Sequence, residues 1–290
     1  MKHLKVYLLI IFLIILFVSG SLYAKDYNFY LKKVWESDKV FKTPESVWYD
    51  KDTNMLYVSN INRYPAKYIY NGFISKVSPS GKIVKLKWVR NLLDPKGLCT
   101  YKGKLYVSDV DTLVEIDLNT GEIIKKQKIS GAKFLNDVVV DSKGRVYITD
   151  TSKENGGVYR YYKGKVKVWL KGKKISRPNG LFYYRSILYV GNSGDKSIKM
   201  FNVNTKKYLG KIYVGTGIDG LIYFKKGRFL TSDWEGRTFF VTKEGEVKKL
   251  LDTRAQKINA ADIGFVPEKN LVIIPTFYKD KIVAYKLIEK

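Results

Sequence analysis

Six stretches of this 290-residue chain open in the same way, and one position within them changes from stretch to stretch. They begin Pro44-Glu45-Ser46, Pro95-Lys96-Gly97, Leu135-Asn136-Asp137, Pro178-Asn179-Gly180, Ile218-Asp219-Gly220 and Ala261-Asp262-Ile263. Each leads into a short apolar run, a turn and a second run, such as Leu56-Tyr57-Val58-Ser59 or Val146-Tyr147-Ile148-Thr149. Units spaced ~40 to 50 residues apart mark solenoids and propellers, whose repeats bury their faces only against one another. Residues 25–290 therefore read as one domain. If the array closes, Glu45, Lys96, Asn136, Asn179, Asp219 and Asp262 meet near one axis.

Five of the repeats give four strand-like runs each. In the first these are Ser46–Asp50, Met55–Asn60, Gly72–Val77 and Ile83–Val89; in the third, Asp137–Asp141, Arg145–Asp150, Gly157–Tyr162 and Lys165–Leu170. The runs are rich in valine, isoleucine, tyrosine and phenylalanine, and turns such as Pro79-Ser80-Gly81 and Asn119-Thr120-Gly121 separate them. No amphipathic helix stands out after residue 24. The sixth repeat has three runs, Ile263–Val266, Leu271–Pro275 and Lys281–Leu287, and a spare strand-like segment, Tyr27–Trp35, lies near the N-terminus. Adding that segment to the last repeat removes an exposed sheet edge. The expectation is an all-β, six-bladed β-propeller with four antiparallel strands per blade, its last blade closed by the N-terminal strand.

Residues 1–24 read differently. Lys2, His3 and Lys5 precede an uncharged apolar run from Val6 to Val18, and small residues follow at Ser19, Gly20, Ser21 and Ala24. That is the pattern of a secretory signal, and it is short for a membrane span of ~20 residues. An exported, periplasmic or extracellular protein is expected, with an uncleaved N-terminal anchor as the alternative and the only expected membrane contact. The single cysteine, Cys99, allows no internal disulfide, so stability must come from packing. The formal charge is +26, but the lysines are scattered over every repeat, and no nucleic-acid motif accompanies them. A solvated basic surface is expected, and no nucleic-acid partner.

The only histidine is His3, within the leader. Residues 25–290 therefore exclude histidine bases, Ser-His-Asp nucleophiles and histidine metal sites. Glu45, Asn136, Asn179 and Asp219 instead offer two carboxylates and two amide oxygens, a set that suits hard divalent cations rather than zinc or copper. Taken singly, each residue is most simply a hydrogen-bonded strand start. The first-repeat loop Asn60–Asn71, with Arg63, Tyr64, Tyr68 and Tyr70, is either a rim to the channel or a plain surface loop.

On the motifs Pro44-Glu45-Ser46-Val47-Trp48, Leu135-Asn136-Asp137, Pro178-Asn179-Gly180-Leu181 and Ile218-Asp219-Gly220-Leu221, the chain resembles a known family. It is that of senescence marker protein (regucalcin), gluconolactonase and luciferin-regenerating enzyme, and the resemblance covers nearly all of residues 25–290. It implies a metal-dependent hydrolase of a small lactone or ester, with one divalent cation held by Glu45, Asn136, Asn179 and Asp219. Ca2+ is the first expectation, with Mg2+ or Mn2+ as alternatives. It further implies Asp219 or Asp262 as the base. Lys96, Phe134, Asp137, Tyr64 and Trp234 are the residues expected to flank substrate or ligands.

Two positions depart from the family pattern. Sugar-lactone members carry an arginine two residues before the third-repeat Asn, where this chain has Phe134. Lys96 puts an ammonium near the expected cation, and pairing with Glu45 or Asp262 is the expected resolution. Both departures keep open a non-catalytic, NHL-like binding propeller and a metal-free propeller of the strictosidine-synthase kind. Asp109, Asp150 and Asp233, which end second strands, are expected to serve structure.

Overall fold

Alternating β-branched and aromatic residues, cut by glycine-bearing turns, fold into strands throughout. The computed structural model describes residues 28–63, 69–154 and 156–290. It begins with β1 (Phe29–Glu36). The first blade is β2 (Pro44–Asp50), β3 (Met55–Asn60), β4 (Gly72–Val77) and β5 (Ile83–Leu92). The second is β6 (Pro95–Tyr101), β7 (Lys104–Asp109), β8 (Thr112–Asp117) and β9 (Ile123–Lys128). The third is β10 (Leu135–Val140), β11 (Val146–Asp150), β12 (Gly157–Tyr162) and β13 (Lys165–Lys171). The fourth is β14 (Pro178–Tyr184), β15 (Ile187–Asn192), β16 (Ser197–Asn202) and β17 (Tyr208–Tyr213). The fifth is β18 (Leu221–Lys225), β19 (Arg228–Asp233), β20 (Arg237–Thr242) and β21 (Val247–Asp252). The last blade runs β22 (Gly264–Val266), β23 (Leu271–Pro275), β24 (Ile282–Glu289) and then β1. The six-bladed propeller, closed by its N-terminal strand, is thus as expected. The described residues contain no α-helix, and none of their helices is long and apolar enough to cross a membrane. The leader, residues 1–24, lies outside the described residues.

Burial follows position in the blade. The inner strands β10 and β11 are buried along their whole length, because neighbouring blades cover both faces. The outer strand β13 is mostly exposed or partly buried, with Trp169 alone turned fully into the core. The apolar core therefore sits between blades. Tyr57, Ile74 and Val89 of the first blade pack with Leu98, Leu105 and Val114 of the second. Val266, Ile273 and Ile282 pack with Val47, Leu56 and Val58 across the seam between the last blade and the first. Phe29 of the closing strand stacks on Phe240 of the fifth blade, ring centroids 4.6 Å apart.

The turn glycines carry the backbone sense that hairpins need. Gly81, Gly121, Gly144 and Gly245 have φ of 91, 80, 76 and 95°, a region that side chains with a Cβ rarely enter. A different constraint acts at Gly264, where a Cβ would lie 2.6 Å from the Val47 carbonyl oxygen. The seam between the last and first blades depends on that close approach. Gly264→Ala is expected to destabilise the protein by about 2 kcal/mol, the usual cost of forcing extra volume into a packed interface. Urea denaturation checks this, and an unchanged midpoint would show the seam to be looser than described.

Candidate active site

The inner strands are bulged where the variable column falls. In the first four blades the ladder pairs Pro44 with Asn60, Pro95 with Asp109, Leu135 with Asp150 and Pro178 with Asn192. Regular pairing resumes at Val47, Leu98, Val138 and Leu181. The residues skipped are Glu45-Ser46, Lys96-Gly97, Asn136-Asp137 and Asn179-Gly180. A bulge frees a side chain from the strand's alternation and re-aims it. The inner strands consequently start at the prolines or leucine before the column, earlier than their apolar runs suggest.

A bulge leaves backbone N–H groups without ladder partners, and a buried orphan is costly. Hydroxyls at the ends of second strands take them. Ser46 N donates to Ser59 Oγ (3.0 Å), Asp137 N to Thr149 Oγ1 (2.9 Å) and Gly220 N to Ser232 Oγ (2.9 Å). The next residue along the second strand holds the incoming loop. Asp109 accepts from the N–H groups of Leu93 and Asp94, Asp150 from those of Lys133 and Phe134, and Asn192 from that of Ser176. Asp233 accepts from Thr216 and Arg237. The recurring Ser/Thr-Asp/Asn pairs are therefore structural, as expected for Asp109, Asp150 and Asp233.

The second bulge residue faces the next blade. A Cβ on Gly97 would sit 2.5 Å from the Asp137 Cα, and one on Gly180 2.5 Å from the Asp219 carbonyl oxygen, so only glycine fits. Asp137 and Ser46 use that direction differently. The Asp137 carboxylate accepts N–H groups from Val138 (2.6 Å) and from Leu181 of the next blade (2.5 Å). Ser46 Oγ donates to Asp262 Oδ2, and the two backbones form a parallel bridge between the first and last blades.

Five of the six column residues line one cavity of about 400 Å³: Glu45, Lys96, Asn136, Asn179 and Asp219. Asp262 is absent from that lining, because its carboxylate is turned to Ser46. Lys96 pairs with neither Glu45 nor Asp262, contrary to expectation. Its Nζ donates to Asp94 Oδ1 at 2.6 Å, and both side chains are almost fully buried. The reason is local. Asp109 pins the Leu93 and Asp94 N–H groups, which sets the Asp94 carboxylate beside the lysine two residues on. Arg63 approaches the same carboxylate at 3.5 Å, and the Lys96 Nζ lies 5.2 Å from the Phe134 ring centroid.

The remaining column forms an oxygen-lined, desolvated patch. Asn179 Nδ2 donates to Asp219 Oδ1 at 2.7 Å, which turns Asn179 Oδ1 the other way. Asn179 Oδ1 and Glu45 Oε2 are buried without a hydrogen-bond partner. Burial pushes the carboxyls of Glu45, Asp137, Asp219 and Asp262 up, and mutual repulsion adds to the rise. Lys96 opposes it at Glu45, as the Asn179 amide does at Asp219. Unpartnered buried oxygens beside carboxylates held out of water are what a hard cation would satisfy. Among the described residues no three acidic, histidine or cysteine side chains form a metal cluster by themselves. The donor set that fits a cation is two carboxylates and two amides.

The upper walls interleave apolar and basic side chains: Arg63 lies 5.9 Å from the Phe277 ring centroid, as Lys96 lies near that of Phe134. Phe134 and Trp234, both partly exposed, line the cavity with Ile61 and Phe277. Trp234 meets Phe277 edge-on, centroids 4.5 Å apart, and Tyr278 flanks both. Tyr64 and Tyr68 lie outside the described residues; Asn62 and Asn71 close the neck of their loop by exchanging amide-to-carbonyl hydrogen bonds. The sequence reading missed Asp94 and Arg177, and Arg177 also lines the cavity. Its signal was present: Arg177 precedes Asn179 by the same two residues by which Phe134 precedes Asn136.

Comparison with known proteins agrees with the propeller fold. Residues 43–258 match the model of a family described as SMP-30/Gluconolactonase/LRE-like region. No curated protein matches the chain. Among solved structures, a luciferin-regenerating enzyme aligns over 89% of this chain and 94% of its own, with 15% identity and a TM-score of 0.61. A streptogramin B lyase aligns over 90% and 98%, with 13% identity and a TM-score of 0.65. A chain of a nidogen/laminin complex aligns over 77% and 84%, with 14% identity and a TM-score of 0.66. At such identities these likenesses speak to the fold alone.

The Lys96–Asp94 contact yields a test. Asp94→Asn leaves Lys96 buried without a counter-charge and is expected to cost about 3–5 kcal/mol. Adding Lys96→Met should recover much of that loss. A double-mutant cycle read by chemical denaturation measures the coupling, and additive effects would contradict the pairing.

Proposed function

We propose that this chain, which belongs to the SMP-30/gluconolactonase/LRE-like family, hydrolyses a small lactone or ester with the aid of an oxygen-bound divalent cation. The observation that carries this reading is the pair of buried, unpartnered oxygens, Glu45 Oε2 and Asn179 Oδ1, in the same cavity as Asn136 and Asp219. Glu45, Asn136, Asn179 and Asp219 would hold the cation, and Ca2+ suits an all-oxygen set completed by water. Once bound, a cation of this kind polarises a carbonyl and acidifies a coordinated water. Lys96 does not compete for the place, since Asp94 holds its ammonium.

Asp219 is the favoured base. It lines the cavity, and Asn179 Nδ2 fixes its Oδ1. Asp262 supports the column through Ser46 instead of facing the cavity. Phe134, Ile61, Trp234 and Phe277 give the cavity apolar lining that suits an apolar substrate body. With residues 1–24 read as a secretory signal, the activity would be exerted outside the cytoplasm.

Two measurements test this reading. Millimolar Ca2+, Mg2+ or Mn2+ should raise the melting temperature, because a ligand that binds only the folded state stabilises it, by about 2.7 kcal/mol at one hundred times Kd. Glu45→Gln and Asn136→Ala should lose the shift. Asp219→Asn is expected to lower turnover of any hydrolysed lactone or ester by at least about 100-fold, the lower end of what a positioned base contributes. No cation response together with no turnover across a lactone and ester panel would leave a ligand-binding propeller as the function.

A further inference from the structure

Glu45 and Asp219 aside, the charged side chains that line the cavity each have an oppositely charged neighbour, with one exception. Lys96 is bound by Asp94, and Arg63 sits against the same carboxylate. On the opposite wall Asp233 is held by Arg237 and Thr216, and Glu235 by Arg237. Glu45 and Asp219 belong to the cation set. Arg177 alone among the lining cations makes no side-chain ion pair or hydrogen bond within the described residues.

The backbone beneath Arg177 is held firmly. Its φ is 47°, a left-handed conformation that a residue other than glycine seldom adopts. Its carbonyl accepts the Ser193 N–H at 3.0 Å, and Pro178 follows with its ring-fixed φ. An arginine carried on a fixed backbone loses less freedom when it grips a ligand.

We propose that Arg177 reads an anion, and that the substrate is a monoanionic lactone or ester: a small apolar body with one carboxylate placed away from the bond that breaks. This deepens the hydrolase reading and rests on it. One uncompensated guanidinium balances one negative charge. Its planar fork matches a carboxylate through two parallel hydrogen bonds. Arg177 is exposed at the rim while Glu45 and Asp219 are buried at the column, so the guanidinium directs the charge to the rim and leaves the neutral carbonyl to the column. Phe134 and Trp234 receive the apolar body between these two ends. A cavity of about 400 Å³ admits one ring and a short arm. That is roughly the space of a dozen waters at about 30 Å³ each.

The test uses the full chain and two substrates. One is a five-membered lactone with a carboxylate on the ring carbon opposite the carbonyl–oxygen bond; the other is its primary amide. The wild type should favour the acid in kcat/KM by about 10-fold or more, the range of a charge-assisted hydrogen bond pair. Arg177→Met should bring the ratio near unity through KM, and Arg177→Lys should fall between. Calorimetric titration with cyclopentanecarboxylate gives a reading independent of turnover, and Arg177→Met should weaken its binding by a similar factor. A ratio unaffected by Arg177→Met, or a wild type that prefers the amide, overturns the proposal. If neither lactone turns over but cyclopentanecarboxylate binding depends on Arg177, the hydrolase reading falls and the anion subsite stands. Absence of both overturns the subsite as well.

Discussion

Much of the channel depends on one backbone compromise: the two-residue bulge at the start of the inner strand in each of the first four blades. A regular strand would alternate its side chains between neighbouring blades and present nothing to the axis. The bulge releases Glu45, Lys96, Asn136 and Asn179 from that alternation. It also strips backbone groups of their partners, and the fold tolerates this because the second strand ends in a hydroxyl and then a carboxylate or amide. Ser59, Thr149 and Ser232 accept the freed N–H groups, and Asp109, Asp150 and Asn192 hold the loops that lead in. Structure and site are thus built from adjacent residues with separate duties.

That division explains what could be read from sequence. The blade count and the closing strand were legible because strand period, turn glycines and repeat spacing are local and repeated six times. The column was legible for the same reason: the motif around Glu45 recurs around Asn136, Asn179 and Asp219. The partner of Lys96 was not. Repeats align blades with each other, so they direct attention to column neighbours such as Glu45 and Asp262. The real partner, Asp94, lies in the approaching loop, and its direction follows from a hydrogen bond to Asp109 that no repeat pattern encodes.

Asp262 and Arg177 show two more ways in which equal positions diverge. Asp262 is equivalent to Asp219 in register, yet its neighbour across the seam is Ser46, whose hydroxyl captures the carboxylate. The fourth blade instead meets the fifth through Gly180, where a side chain would strike Asp219. Asp219 keeps its carboxylate in the cavity for want of such a capturing group, with only the Asn179 amide against it. Arg177 was overlooked because the third blade was taken to be where a family arginine belongs. The same offset one blade later places a guanidinium on the same cavity.

The electrostatics of the chain then acquire a direction. A chain of formal charge +26 buries four carboxyls near its axis, all driven toward protonation by burial and mutual repulsion. Such a cluster is unfavourable unless something positive completes it. Lys96 is the only buried ammonium of the column, and Asp94 has already taken it. By sequestering the lysine, Asp94 leaves Glu45 and Asp219 without an ammonium of the protein's own against them.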